Sequence, residues 1–209
     1  MSAAFVSGLG LAQARVVRRS VCSSVAAAPM KMVTSKSMPF MEAPPALDGS
    51  MVGDVGFDPL GFTRTFDVKW MREAELKHCR ICMLAVLGFV VQEIFRLPMY
   101  SGAPKLATDA HDYFVSQGAL KQILLFISFF EVFGTVALWE TMQGTREPGV
   151  FGFDPLNLGK NPASYEKYAL SELKNGRLAM IAVGGFIHQM WVYKQGVLYQ
   201  LAHFKPMSL

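Results

Sequence analysis

A duplicated helix with charges in an apolar setting constrains this chain more than any other feature. Glu172–Gln189 reads ELKNGRLAMIAVGGFIHQ, and Glu75–Gln92 reads ELKHCRICMLAVLGFVVQ. Ten of eighteen positions match without a gap, which makes the pair an internal repeat rather than shared composition. Each copy holds a carboxylate and a guanidinium within an otherwise apolar run. A lipid-spanning helix tolerates such groups only when they are paired or ligated.

Local pairing is excluded by the spacing. Glu172 and Arg177 are five residues apart, as are Glu75 and Arg80. Five residues is about 140° around a helix, whereas local ion pairs need separations of three or four. If the two copies cross about a two-fold axis, Glu75 reaches Arg177 and Glu172 reaches Arg80, which removes four uncompensated charges. The competing reading is that each charge reaches a membrane interface by itself; the duplicated spacing favours the reciprocal pairs. Close crossing needs small residues. The repeat sets Cys79 against Gly176, Cys82 against Ala179, Ala85 against Ala182 and Gly88 against Gly185. Because the second copy replaces both cysteines of Cys79-x-x-Cys82 with Gly and Ala, packing is favoured there over a redox or metal site.

The repeat extends beyond the helix. GFDPL stands at Gly56–Leu60 and again at Gly152–Leu156, so loop and helix were duplicated together. A Pro- and Gly-rich stretch, 38–64, reads as an ordered loop. The first helix is expected over about 68–97, stopped by Pro98, the second over 119–138 and the third over 165–193, with a short amphipathic tail at 197–204. The apolar part of the first, Ile81–Val91, is about half of the ~20 residues a span needs, so its polar first turns must enter the membrane or its interface. The expected fold class is therefore an all-α membrane protein. It has three transmembrane helices, the first and third a crossed pseudo-two-fold pair, plus short amphipathic helices. Lys and Arg are concentrated before the first helix and between the second and third, which puts the N-terminus on the cytoplasm-equivalent side and the C-terminus opposite.

Composition agrees with that class and excludes others. Hydrophobic residues make up 52% of the chain and charged ones 17%, which confines the apolar parts to segments. Basic residues are scattered without interleaved aromatics, so no nucleic-acid footprint is formed. Three cysteines without framework spacing argue against a disulfide scaffold. Residues 1–32 are rich in Ser, Ala and Val, carry Arg15, Arg18, Arg19 and Lys31, and lack Asp and Glu; this is the make-up of an organellar transit peptide. A secretory signal competes, but no basic residue precedes its apolar part.

His78, Gln122, Glu131, Asn175 and Gln189 remain as polar side chains in apolar segments without a pairing role. Each is penalised unless it hydrogen-bonds or coordinates something. Interhelical hydrogen bonds would satisfy any one of them. Several donors spread singly suggest instead several separate metals needing one axial ligand apiece. Glu75-x-x-His78 also matches half of a di-iron motif, but the repeat offers Glu172-x-x-Asn175 rather than a second copy. No Ser/His/Asp set, phosphate loop or paired catalytic carboxylates occur, so the expectation is a non-enzyme without a soluble substrate.

At ELKHCRICMLA (75–85) and ELKNGRLAMIA (172–182), each preceded by FDPL, the chain resembles the light-harvesting chlorophyll-binding protein family over roughly residues 45–205. PPALDGSMVGDVGFDPLGF and HDYFVSQGALKQILLF are similar to its red-lineage photosystem I antenna branch. The resemblance implies chlorophyll a, with chlorophyll c left open, and carotenoid such as zeaxanthin or carotene, with magnesium held only inside chlorophyll. By matching position, Glu75, His78, Glu172, Asn175 and Gln189 would be axial ligands, and Arg80 and Arg177 would close the ion pairs. His203 resembles the last ligand, one residue short of the plant register. Gln122 and Glu131 resemble the middle-helix ligands, but their separation of nine puts them on opposite faces. His188 has no counterpart in the plant pattern and is read as a packed or lipid-edge histidine. The loops Phe57-Asp58-Pro59 and Phe153-Asp154-Pro155 resemble those that seat two carotenoids. The implied setting is the plastid thylakoid membrane, N-terminus stromal and C-terminus lumenal, beside the photosystem I core and neighbouring antenna subunits. A photoprotective quencher or pigment carrier on the same fold is the alternative.

Overall fold

The computed structural model describes residues 34–203; the transit-peptide expectation for 1–32 lies outside them. Five α-helices follow one another: α1 Val68–Ile94, α2 Ala107–Ser116, α3 Ala119–Gln143, α4 Pro162–Tyr193 and α5 Val197–Ala202. Among the described residues the only extended pairing is an isolated bridge between Thr34 and Glu42.

The helix limits follow from capping chemistry, and they correct the expected ones. The Asp67 carboxylate accepts from the Lys69 amide at 2.7 Å and opens α1. α1 ends at Ile94 rather than 97, because Phe95 is already extended and the residue before Pro98 is biased away from helix. Arg96 then turns its guanidinium to the Ala103 and Pro104 carbonyls, which folds the connection back. α3 runs five residues past the expected 138 and stops at Gly144, whose φ of +80° ends the helix in the left-handed region. α4 starts at Pro162, an acceptable first helical residue because its missing N–H has no partner there. The tail helix ends at Ala202. Between α1 and α3, α2 fills what the sequence left as a loop.

α1 and α4 form the centre of the molecule and cross at equivalent residues of the repeat. Cys79 is fully buried, and a Cβ built on Gly176 would collide with its Cβ and Sγ. Only Gly lets the two backbones come this close. The loop before each helix packs on the helix of the other copy. A Cβ on Gly53 would lie 2.6 Å from Leu173 Cδ2, and one on the equivalent Gly149 would collide with Cδ1 of Leu76, the counterpart of Leu173. Both glycines have positive φ, +73° and +79°. Each copy therefore clamps its twin, which gives the pair its pseudo-two-fold form.

Polarity along the crossing is also fixed. Near its start α1 meets the connection from α3 to α4, through Glu73 with Arg146 and through Arg80 with Gly149. At its end Glu93 accepts from the Val197 and Leu198 amides and caps α5. α1 and α4 thus run in the same sense, and α3 returns against α1. By length and composition α3 is the one described helix apolar enough to cross a membrane. Nearly every side chain from Lys121 to Phe133 is exposed on the protein surface.

Candidate functional site

Both reciprocal ion pairs stand at the crossing. Arg80 Nε donates to Glu172 Oε1 at 2.7 Å, and Arg177 Nε donates to Glu75 Oε1 at 2.8 Å. The two halves differ in what surrounds them. Glu75 Oε2 also accepts from Arg72 at 2.9 Å, whereas Ala169 occupies the equivalent place in α4. Glu172 keeps its second oxygen outside these bonds. Glu75 therefore retains only the spare lone pairs of two engaged oxygens, a narrower acceptor than the sequence suggested. Arg80 donates further to the Gly149 carbonyl and lies 5.6 Å from the Phe151 ring centroid.

Next to each carboxylate, one turn along, a polar side chain is held back against its own helix. His78 Nδ1 sits 2.8 Å from the Ala74 carbonyl. A carbonyl only accepts, so Nδ1 carries the proton and Nε2 keeps a lone pair facing outward. In the twin position Asn175 Nδ2 donates to the Ser171 carbonyl at 2.9 Å and approaches its hydroxyl at 3.2 Å, which leaves Oδ1 outward. The same three-residue step, carboxylate then outward donor, thus occurs on both helices, and both donors are exposed on the protein surface. Such backbone-anchored, single, unprotonated donors are suited to a metal centre that takes one axial ligand, because the anchor fixes the tautomer and the direction.

The remaining expected residues are more dispersed. Gln189 is exposed on the same face, about one turn from the end of α4. His203 has Nδ1 at 3.2 Å from the Tyr199 carbonyl and its ring stacked on Tyr199. Glu131 is paired with Lys77 at 2.6 Å and so faces α1, while Gln122 is exposed on the far side of α3. Asp58 and Asp154 turn into their own loops. Asp58 accepts from the Phe62 and Thr63 amides and from the Thr63 hydroxyl; Asp154 accepts from the Leu158 and Gly159 amides. Burial pushes the Asp58 carboxyl up, but those donors outweigh it and hold it below the usual carboxylate value. The carboxylates shape the loops, and the exposed Phe57 and Phe153 rings form the apolar surface beside them.

A buried structural pair was among those missed by sequence reasoning. Glu73, 4% exposed, accepts from Arg146 Nη2 at 3.0 Å and from the Gly149 amide. Arg146 also reaches the Ala137 and Val150 carbonyls and the Thr141 hydroxyl. Leu170 stands at the repeat position of Glu73, so comparing the copies could not flag it.

The family model described as chlorophyll A-B binding protein matches residues 43–191. A fucoxanthin-chlorophyll a-c binding protein of Chattonella marina var. antiqua is 36% identical over 86% of this chain and 80% of its own length. Photosystem I chlorophyll a/b-binding protein 5 of Arabidopsis thaliana is 35% identical over 76% and 71%. Light-harvesting complex stress-related protein 3.2 of Chlamydomonas reinhardtii is 36% identical over 70% and 62%. The chain belongs to the light-harvesting chlorophyll a-b binding protein family, whose members carry pigment and do not catalyse reactions.

Proposed function

We propose that this protein is a thylakoid antenna that binds chlorophyll and carotenoid and passes excitation to photosystem I. The observation that carries the reading is the duplicated step in which a carboxylate neutralised across the helix crossing is followed by an outward, backbone-anchored donor, at Glu75/His78 and at Glu172/Asn175. These four residues would each hold one chlorophyll magnesium, with Gln189, Gln122, Glu131 and His203 as the further ligands. A carboxylate already paired with arginine can offer an oxygen to magnesium without burying net charge. Bound pigment supplies the light absorption; the polypeptide fixes spacing and orientation and excludes quenching contacts. The loops at Phe57–Pro59 and Phe153–Pro155 seat carotenoid ends through apolar contact.

Three spans follow from length. At 1.5 Å per residue, α1 and α4 extend roughly 40 and 48 Å and α3 nearly as far. A hydrocarbon core is about 30 Å thick, so each helix is long enough to cross with polar ends outside. Of the charges within 75–80 and 172–177, four are paired at the crossing and Lys77 is paired with Glu131 of α3, while the exposed Lys174 has a long side chain that can reach toward the interface. The basic residues before α1 and between α3 and α4 support a stromal position for that end and a lumenal one for the C-terminus. The photosystem I assignment is supported by the relative from Arabidopsis that bears its name, and a carotenoid set with chlorophyll c by the relative from Chattonella. The stress-related relative supports a second reading, a photoprotective quencher on the same fold.

Detergent-solubilised thylakoids separated by size, with this protein tagged, test the proposal. The expected result is comigration with photosystem I, together with carotenoid bands in the excitation spectrum of chlorophyll emission. A pigment-free protein, or one migrating away from photosystem I, overturns it.

A further inference from the structure

His188 reproduces the geometry of the donors above at a position the repeat does not supply. Its Nδ1 lies 2.7 Å from the Gly184 carbonyl, so that nitrogen bears the proton and Nε2 keeps its lone pair. The side chain is exposed on the protein surface of α4, among Ile181 at 75% and Val192 at 68% exposure. A histidine near a helix end could instead reach toward the interface. This one does the reverse. Helical side chains lean toward the N-terminus, and the bond to Gly184 holds the ring a turn back from the end of α4 at Tyr193. Nε2 is therefore left in an apolar layer, where an unsatisfied polar atom is penalised.

The surface beneath it is also unusual. Gly184 and Gly185 sit in the interior of α4, where each glycine costs about 1 kcal/mol relative to alanine. A Cβ at either would meet nothing within 4 Å, so no protein contact requires them, in contrast to Gly176. The twin helix serves as an internal comparison: Leu87 replaces Gly184 and Val91 replaces His188. The donor and Gly184 occur together in α4 and are both missing from α1, whereas Gly185 has its twin in Gly88, which also meets nothing within 4 Å.

Resting on the pigment-binding reading, we propose that His188 Nε2 is the axial ligand of an additional magnesium tetrapyrrole, a chlorophyll seated on the Gly184–Gly185 face of α4. It is separate from the pigment at Gln189, since adjacent helical residues point about 100° apart.

The test reconstitutes the full chain with chlorophyll a and carotenoid and counts chlorophylls per polypeptide in wild type, His188→Leu and His188→Asn. The expected result is one chlorophyll lost from His188→Leu, with a single band in the absorption difference spectrum. In His188→Asn the count returns with that band shifted. An unchanged count in His188→Leu overturns the proposal and leaves the antenna reading intact, as does a loss of several pigments that Asn does not rescue. A wild-type chain that takes up no chlorophyll overturns both.

Discussion

Arg80 and Arg177 hold equivalent positions, yet removing them exposes different things. Without Arg177, Glu75 keeps Arg72 at 2.9 Å. Without Arg80, Glu172 loses its ion-pair partner among the described residues, and Gly149 and Phe151 lose a contact as well. Breaking a buried pair costs about 3–5 kcal/mol through the stranded charge, and partial exposure at this crossing brings the figure toward the lower end. Arg80→Leu should therefore lower the thermal midpoint of the pigmented protein clearly more than Arg177→Leu, as followed by circular dichroism in the chlorophyll bands. Equal shifts would remove the role given to Arg72. The two cross-helix pairs were legible because spacing forbade local pairing and duplication named the partners. Arg72 was not, since an i,i+3 neighbour of Glu75 has no counterpart in α4. Glu73–Arg146 was hidden for the same reason, and because Arg146 lies in a connection whose path no periodicity records.

At the scale of elements, the two loops and two helices behave as interlocked halves. Gly149 has positive φ and no room for a Cβ against Leu76, so Gly149→Ala combines backbone strain with a steric conflict. Adding Leu76→Ala relieves only the second part. A double-mutant cycle on thermal stability should show positive coupling in the double variant; strict additivity would mean that loop and helix are not in contact. The first loop has a pH signature as well. Asp58 is held below its ordinary value, so its contribution is fully present above the unfolded-state value and is lost as pH falls through the lower folded one. Protection of the Phe62 and Thr63 amides from hydrogen exchange should thus survive mild acid and fall only below the usual carboxylate range, and Asp58→Asn should abolish that step. Protection lost already near neutrality would contradict the hydrogen bonds assigned to Asp58. The loops were visible in sequence as GFDPL copies, but their inward carboxylates were not, because the same Pro-fixed turn suits a ligand-facing aspartate equally well. Likewise α2 was not singled out: Ala107, Ala110, Tyr113 and Phe114 stand at helical spacing, but ten residues fall short of the windows in which a period is read.

For the whole molecule, the open choice is between harvesting and quenching, and it turns on which carboxylates acid can reach. A quencher triggered by lumenal acidification needs exposed carboxylates at that end. In the orientation proposed above, that end comprises the connection from α1 to α3 and the segment after α4. The former contributes Asp109 and Asp112, the latter no Asp or Glu from 191 to 209. Glu93 lies there too, but both its oxygens are taken by the amides that open α5, so it is structural rather than sensory. A protein built this way has little with which to read lumenal pH. The chlorophyll fluorescence lifetime of the purified complex should accordingly be the same at neutral and acidic pH, and Asp109→Asn with Asp112→Asn should change nothing. Strong shortening in acid would overturn the harvesting assignment, and its loss in the double variant would identify the two aspartates as the sensor. The same complex offers a spectral check on pigment geometry. The family resemblance implies asparagine at the position of His78 in plant relatives with strongly red-shifted chlorophylls. If His78 holds a chlorophyll as proposed, its imidazole, which reaches farther from the helix than a carboxamide, would hold that pigment farther from a neighbouring one and weaken their coupling. Low-temperature emission should therefore lack a prominent far-red band, and His78→Asn should create or strengthen one. A far-red band already present in the wild type would show that another pair of pigments sets the lowest energy, and would remove His78 from that role.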